Sequence, residues 1–296
     1  MSTLDVTSLS KRIAVEATRR GNAKLERSDP GSAISVTLPN LEASASRERL
    51  HEWSESRGPY TVRFARTADD RRAVQTLRYE VFARELGAKV AGADRGLDVD
   101  PLDPRVDHLM VVESETGACV GSYRLATAEQ VGCAGFYTER IFRLDRLPAD
   151  VRAQGVELGR ACVGLRHRTR GVLQLLLRGI GTYLVYTGKR FLFGCGSVGL
   201  KDLGQARLAI EEIDREGWID PSLDVGPTPA YRPAFPDSST GARPEIPALL
   251  YAYCAIGARL SGAPAWDPDF RTLDFFVLLD LESVEPRVFA RYCGAQ

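Results

Sequence analysis

The sequence predicts an α/β fold, a central β-sheet flanked by helices, and three observations carry that prediction. Residues 156–201 read as strand, basic turn, long helix and second strand, a βαβ-type unit. The segments HLMVVES and CVGSYRLAT, joined through Thr116-Gly117, read as a hairpin. A third apolar run, LDFFVLLDL at 273–281, reads as a buried strand.

The 296 residues suit one large domain with extensions, and 44% hydrophobic residues suffice for a core. Residues 1–57 are a polar extension rich in Ser, Ala, Arg and Glu, with Trp53 its only aromatic. Short helices at 8–20 and 44–56 would lack a wide apolar stripe, so a disordered or loosely docked extension is expected. An interfacial helix near lipid is the narrower alternative. The folded domain is expected over 58–296, with a core at 58–201 completed by 202–296.

Within the core, YTVRFAR alternates like a half-buried strand. Asp69 can cap a following helix whose Val74, Leu77, Val81 and Leu86 share a face and which Gly87 ends. A loop with Asp94, Asp98, Asp100, Asp103 and Asp107 lacks the glycine of a calcium loop and is broken by Pro101 and Pro104, so its acids are read as turn and capping groups and no metal is expected. FYTERIFRLDRL at 136–147 is helical in part. Leu173, Leu176, Leu177, Ile180 and Leu184 recur at helical spacing, and Gly188 stops that helix. Asp202 opens a helix over 202–216, residues 221–244 form a long loop, and 246–260 is an apolar helix.

Charge points to a ligand class. The formal net charge is zero, which argues against a general nucleic-acid binder. Yet from Leu158 to Lys201 there is no Asp or Glu, while Arg160, Arg166, Arg168, Arg170, Arg178, Lys189, Arg190 and Lys201 are cationic. A basic turn before a helix N-terminus can hold a phosphate, so this is an anionic-ligand site. Six dispersed cysteines without a CxxC fit reduced thiols, and no apolar run reaches the length of a membrane span, so a cytoplasmic protein is expected.

Specific motifs sharpen this reading. LRYEVFARELGA (77–88), DPLDPRVDHLMVVE (100–113), VGSYRL (120–125), FYTERIFRL (136–144), ELGRACV (157–163), HRTR (167–170), FLFGCGSV (191–198) and PDFRTLDFFVLL (268–279) occur in that order. Together they resemble the bacterial ornithine lipid synthesis N-acyltransferases, sometimes labelled haemolysin-like, a branch of the GNAT superfamily. The order is also similar to acyl-homoserine-lactone synthases in Arg78 with Phe82, Asp100 with Asp103, Arg124, and Glu157 with Arg160. The resemblance implies a mixed central sheet. It also implies transfer of a 3-hydroxyacyl chain from acyl carrier protein to the α-amino group of L-ornithine, with no permanently bound cofactor. Other acceptors (glycine, glutamine, tyrosine), a lactone synthase, or a membrane-perturbing protein are the alternatives, and contact with the inner-membrane surface stays open.

The same resemblance assigns candidate residues. Glu157 is the general base, or else a structural partner of Arg160 or Arg124. Arg78 or Arg124 grips the acceptor carboxylate, and Asp103 or Asp107 meets its distal ammonium. Phe82 and Phe136 wall the acyl channel. Backbone amides around Ala161, Cys162 and Val163 meet the thioester oxygen, with the Cys162 side chain serving packing. In Arg168-Thr-Arg-Gly171-Val-Leu173 the arginine and first glycine of the CoA-binding turn remain, but Leu173 replaces the second small residue. A donor with one phosphate, the pantetheine arm of a carrier protein, demands less close backbone approach there. His167, Arg168, Arg170 and Gly171 are its expected contacts.

Overall fold

Among the described residues there are nine strands: β1 Ser54–Arg57, β2 Tyr60–Phe64, β3 Asp107–Glu113, β4 Cys119–Thr127, β5 Gly155–Val163, β6 Phe191–Gly199, β7 Arg259–Leu260, β8 Ala265–Asp267 and β9 Thr272–Asp280. They form one sheet in the order β1-β2-β3-β4-β5-β6-β9-β7, with β8 paired to β9. This is a computed structural model that describes residues 49–236, 239 and 241–293. The expected segment at 8–20 therefore lies outside the described residues. Every pairing is antiparallel except β5 with β6, so the sheet is mixed.

The expected hairpin is β3–β4, and the βαβ unit is β5, helix α2 (Arg170–Thr187) and β6. Helix α2 lies on β2 and β3, burying Val172, Leu175, Leu176, Ile180 and Leu184 in a core shared with Phe64, Leu109 and Val111. Thr169 caps its start and Gly188, at φ 63°, ends it in the left-handed conformation that glycine adopts without strain. Helix α1 (Ala68–Arg78) continues as a π-helical turn over Tyr79–Glu85.

Several boundaries differ from the sequence-based expectation. Folded structure starts before residue 58: residues 49–52 are helical, β1 pairs with β2, and Leu50 is part of the core. The cap of α1 is Thr67 rather than Asp69; Thr67 Oγ1 accepts from the Asp70 amide at 3.1 Å while the Asp70 carboxylate accepts from the Thr67 amide at 3.3 Å. After α3 (Ala206–Arg215), the apolar segment 246–260 splits into α4 (Ala248–Ala255) and strand β7, because Gly257 turns the chain at φ 109°. Helix α5 (Pro286–Cys293) packs back on α2.

Among the described residues no helix is long and apolar enough to cross a membrane.

Candidate active site

Strands β5 and β6 pair only from Gly155 with Phe191 to Leu158 with Gly194. A Cβ on residue 194 would collide with the Leu158 carbonyl oxygen, so glycine permits the last close approach. Beyond it the strands part. β5 stays with β4 as far as Val163, after a register shift between Ser122 and Arg124, while β6 stays with β9 as far as Gly199 opposite Thr272. Arg160 takes a left-handed backbone at φ 51° inside this opening. The wedge holds a cavity of about 680 Å³.

That cavity has two characters. Leu158, Leu192, Leu249, Leu250, Val277 and Leu279 give it an apolar wall, and Phe82 of the π-helical turn and Leu86 just after it add to it. Arg124, Tyr137, Glu157, Arg160, Thr272 and Asp274 bring polar groups to the same space, with Lys201 and Arg271 exposed at its edge. Such a chamber suits a ligand with one apolar part and one charged part.

Burial and pairing sort the sequence candidates. Arg78 has no exposed surface and spends its guanidinium on its own protein: Nε donates to Asp98 Oδ2 at 2.7 Å, Nη1 to Asp103 Oδ1 at 2.9 Å, and Nη2 to the Asp98 carbonyl at 2.7 Å. It does not line the cavity, so it does not grip an acceptor there. Asp103 is equally engaged, accepting from Arg78, from Gln75 Nε2 at 2.9 Å and from the Asp100 amide at 3.1 Å. Burial works against its charge, but the Arg78 hydrogen bonds prevail and hold its carboxyl down at about 2. Asp107 meets His51 Nε2 at 3.3 Å, Gln130 Nε2 at 2.5 Å and the Tyr183 hydroxyl at 3.0 Å, away from the cavity. Neither aspartate is placed to receive a distal ammonium. Phe136 stacks edge-on against Phe193 at 4.9 Å in the core behind the wedge and is not a channel wall. Phe82 does line the cavity, edge-on to Phe270 at 5.6 Å.

The acidic loop does more than turn the chain. Asp100 Oδ2 lies 3.0 Å from Arg124 Nη1 and 3.2 Å from Arg160 Nη2, and Asp98 Oδ2 lies 3.3 Å from Arg160 Nε. Burial would lift the Asp100 carboxyl, yet Arg124, the Leu102 amide and Arg160 lower it. The loop thus anchors two cavity-lining guanidiniums from behind. Arg160 also sits 4.8 Å from the ring centres of both Tyr137 and Phe270, and Arg124 sits 5.3 Å from that of Tyr137. Arg124 Nη1 and Nη2 are buried yet make no well-aligned hydrogen bond.

Glu157 reaches the cavity as expected, but as an acceptor already in use. Oε1 accepts from the Thr138 amide at 2.6 Å and Oε2 from the Tyr137 amide at 3.2 Å, with Arg124 Nη2 4.0 Å away. It is 2% exposed and fixes the start of the short helix Thr138–Ile141. That geometry gives Glu157 the anchoring role of the structural alternative, while its carboxylate still lines the cavity. His108 is likewise turned away, with Nε2 2.9 Å from the Asp103 carbonyl.

None of residues 162–171 lines the cavity. Cys162 faces Leu77 and Val81 of the helix behind β5, and burial pushes its thiol far up, which suits packing. Val163 pairs with Gly121, and its carbonyl accepts from Arg168 Nε at 3.1 Å. Arg168 also holds Glu85 with Nη2 at 2.7 Å, and His167 Nδ1 lies 3.1 Å from the Tyr60 hydroxyl and 3.9 Å from Glu113. So a stretch free of carboxylates in sequence finds carboxylates in space. Arg166 and Arg170 are exposed and form no ion pair among the described residues, and Gly171 is half-buried beside them.

One buried group escaped the sequence reading. Asp274, the third residue of β9, lines the cavity. An acid just ahead of the apolar run FFVLL was the available signal.

Comparison with known proteins agrees with this fold. The acetyltransferase (GNAT) domain family matches residues 77–178. The L-ornithine N(alpha)-acyltransferase of Rhizobium meliloti (strain 1021) is 31% identical over 259 residues, covering 79% of this chain and 84% of that protein. The protein of the same name from Brucella abortus (strain 2308) is 29% identical over 260 residues, covering 81% and 90%. Among solved structures, FeeM, an N-acyl amino acid synthase from uncultured soil microbes, aligns with TM-score 0.43 at 10% identity over 75% of this chain and 92% of its own. The chain therefore belongs to the L-ornithine N(alpha)-acyltransferase family and is a GNAT-type N-acyltransferase.

Proposed function

We propose that the protein moves a 3-hydroxyacyl chain from the thioester of an acyl carrier protein to the α-amino group of L-ornithine, giving a lyso-ornithine lipid. The observation that carries this is the cavity: an apolar wall beside buried guanidiniums, at the opening of β5 and β6. The leucines of that wall suit a fatty chain. Arg124, whose terminal nitrogens lack aligned partners, suits the acceptor carboxylate, which a guanidinium grips with two parallel hydrogen bonds. The names of the curated relatives support ornithine as acceptor.

Selection of the α-nitrogen follows from proton affinity. Model values put an α-amino group near pKa ~8 and a lysine-type amine near ~10.4, so the α-amine is the easier of the two to obtain neutral. The donor's phosphopantetheine arm is part of a substrate rather than a resident cofactor. Exposed Arg166 and Arg170 at the start of α2, with Lys201 and Arg271 at the cavity edge, suit its phosphate and the acidic carrier surface. We place the reaction in the cytoplasm, with the product leaving toward the inner-membrane surface.

Incubation with 3-hydroxyacyl carrier protein and ornithine, followed by mass spectrometry, tests this. The expected product is N-acylated ornithine. Product from glycine, glutamine, tyrosine or S-adenosylmethionine in preference to ornithine overturns the acceptor assignment. No product with any amine or chain length overturns the reading as a whole.

A further inference from the structure

Amine attack on a thioester needs a group to take a proton, and Glu157 already accepts from two backbone amides. The wall opposite holds another carboxylate. Asp274 is 3% exposed and sits directly across from Ser197 of β6 and Ala265 of β8, lining the cavity from its far side. Its Oδ1 is buried and makes no well-aligned hydrogen bond, and neither does Oγ1 of Thr272, two residues earlier on the same face of β9, although the Ser197 and Thr272 hydroxyls stand close enough to the carboxyl to favour its charge. Burying a carboxylate oxygen unpaired is costly, and such groups persist where a ligand or a reaction uses them.

The surroundings explain why it stays unpaired. Asp267 on β8 is close, but its Oδ1 already accepts from the Asp269 and Phe270 amides at 2.9 and 3.1 Å. Arg160 on β5 is the nearby cation, and it is drawn the other way by Asp98 and Asp100. Cys195 on β6 and Tyr137 before the short helix complete the charged or titratable set, with Tyr231 of the turn Pro229–Tyr231 beyond. Burial raises the thiol and both phenols above their ordinary values, so all three are neutral around pH 7. Burial likewise pushes the Asp274 carboxyl up to about 6, helped by Asp267 and opposed by the Ser197 and Thr272 hydroxyls and by Arg160. A base whose proton affinity lies near working pH is the efficient kind.

We propose that Asp274 is the general base of the transfer, accepting on Oδ1 the proton that the acceptor nitrogen sheds as it bonds to the thioester carbon. The neutral amine donates its lone pair, forming the N–C bond. The tetrahedral intermediate passes one nitrogen-bound proton to Asp274, and the C–S bond breaks as the carbonyl reforms. The departing thiolate takes that proton back from Asp274, directly or relayed through a water, and the carboxylate is restored. This rests on the N-acyltransferase chemistry and not on ornithine in particular.

The test is Asp274→Asn with the full-length protein, 3-hydroxyacyl carrier protein, and whichever amine the wild type uses best. Expected is a fall in kcat of about 10²–10⁴-fold with little change in either KM, the usual worth of a general base. The wild-type kcat should rise with pH through a limb near 6, and that limb should vanish in Asp274→Asn. Asp274→Glu should restore part of the rate. Three results overturn the proposal: a wild-type profile without that limb, an Asn variant that keeps both rate and limb, or a loss confined to the KM of a diamino acid. The last would make Asp274 a seat for the distal ammonium. If Asp274→Asn does not fold, the wild-type profile and Asp274→Glu decide. A wild type that prefers another amine overturns the ornithine assignment while leaving this test intact, whereas one that acylates no amine overturns both.

Discussion

Two buried carboxylates face the cleft from opposite walls, and their neighbours treat them oppositely. On β5, Glu157 receives two backbone amides and has Arg124 nearby. On β9, Asp274 has a buried oxygen with no well-aligned hydrogen bond. Burial is almost equal, at 2% and 3% exposed. The difference lies in satisfaction: a carboxylate with both oxygens held by backbone amides is anchored in the fold, and one with an oxygen lacking an aligned donor is more open to a substrate. The contrast extends to the walls behind them. The β5 wall rests on Arg78, Asp98, Asp100 and Asp103, a closed set of ion pairs, whereas Asp274 on the β9 wall has no ion pair among the described residues.

Removing the keystone of the closed wall should have the largest effect. Arg78→Ala strips Asp98 and Asp103 of their hydrogen-bonded partner, and breaking a buried pair from one side costs about 3–5 kcal/mol. Urea denaturation should show that loss; one under about 1 kcal/mol would mean that the set is not what holds the wall. Acid should probe the same pairs. Asp103 is depressed to about 2 from the ordinary 3.8, so its contribution is present above pH 3.8 and disappears as pH falls through 2.

The open wall should respond with the opposite sign. Asp274 is raised to about 6 from 3.8, so the native state holds its proton more tightly than the unfolded chain, and stability falls as pH rises from 3.8 through 6. Above that range the ionised group costs on the order of 2–3 kcal/mol, at about 1.4 kcal/mol per tenfold change in proton affinity. Asp274→Asn should therefore match the wild type near pH 4 and exceed it in melting temperature at pH 7.5. An Asn variant less stable than wild type at both pH values would show that Asp274 is as satisfied as Glu157, and would erase the contrast.

Glu157→Gln sharpens the comparison from the other side. One of the two carboxylate oxygens becomes an amide that faces a backbone N–H, leaving a buried donor unpaired at a cost of about 1–3 kcal/mol. The acid limb of the rate profile should survive that change, because the group that titrates lies across the cleft. A limb that disappears in Glu157→Gln would return the base role to β5.

The parts of this arrangement that follow from local pattern were legible in the sequence. The hairpin, the β5–α2–β6 unit and strand β9 rest on apolar periodicity and turn residues, which act over short stretches. Arg124, Glu157, Arg160 and Phe82 all reach the cavity, since the motifs that carry them belong to the wedge. What sequence did not disclose is pairing across distance. Arg78 looks like a clamp until Asp98 and Asp103 close on it, and Arg168 looks free until Glu85, far away in sequence, is folded beside it. Asp274 was hidden differently. Its strand read as core, and only the opening between β5 and β6 turns that stretch of core into a cavity wall.

The smallest effects should come from the basic turn, where the comparison is between paired and open cations. Arg168 is held by Glu85 at the surface, a pair worth about 0.2–1 kcal/mol, so Arg168→Ala should barely move stability. Arg170 is exposed with no ion pair among the described residues, so Arg170→Ala should leave stability unchanged and act on the encounter with the donor. The apparent KM for carrier protein should rise in Arg170→Ala more than in Arg168→Ala, while that for the amino acid holds in both. Added salt should slow the wild type and narrow its difference from Arg170→Ala, because exposed charges are screened within about 10 Å at 0.1 M ionic strength. If both variants raise both constants equally, the turn supports the fold of the wedge rather than the arrival of the donor, and the phosphate must be met by Lys201 and Arg271 at the cavity edge instead.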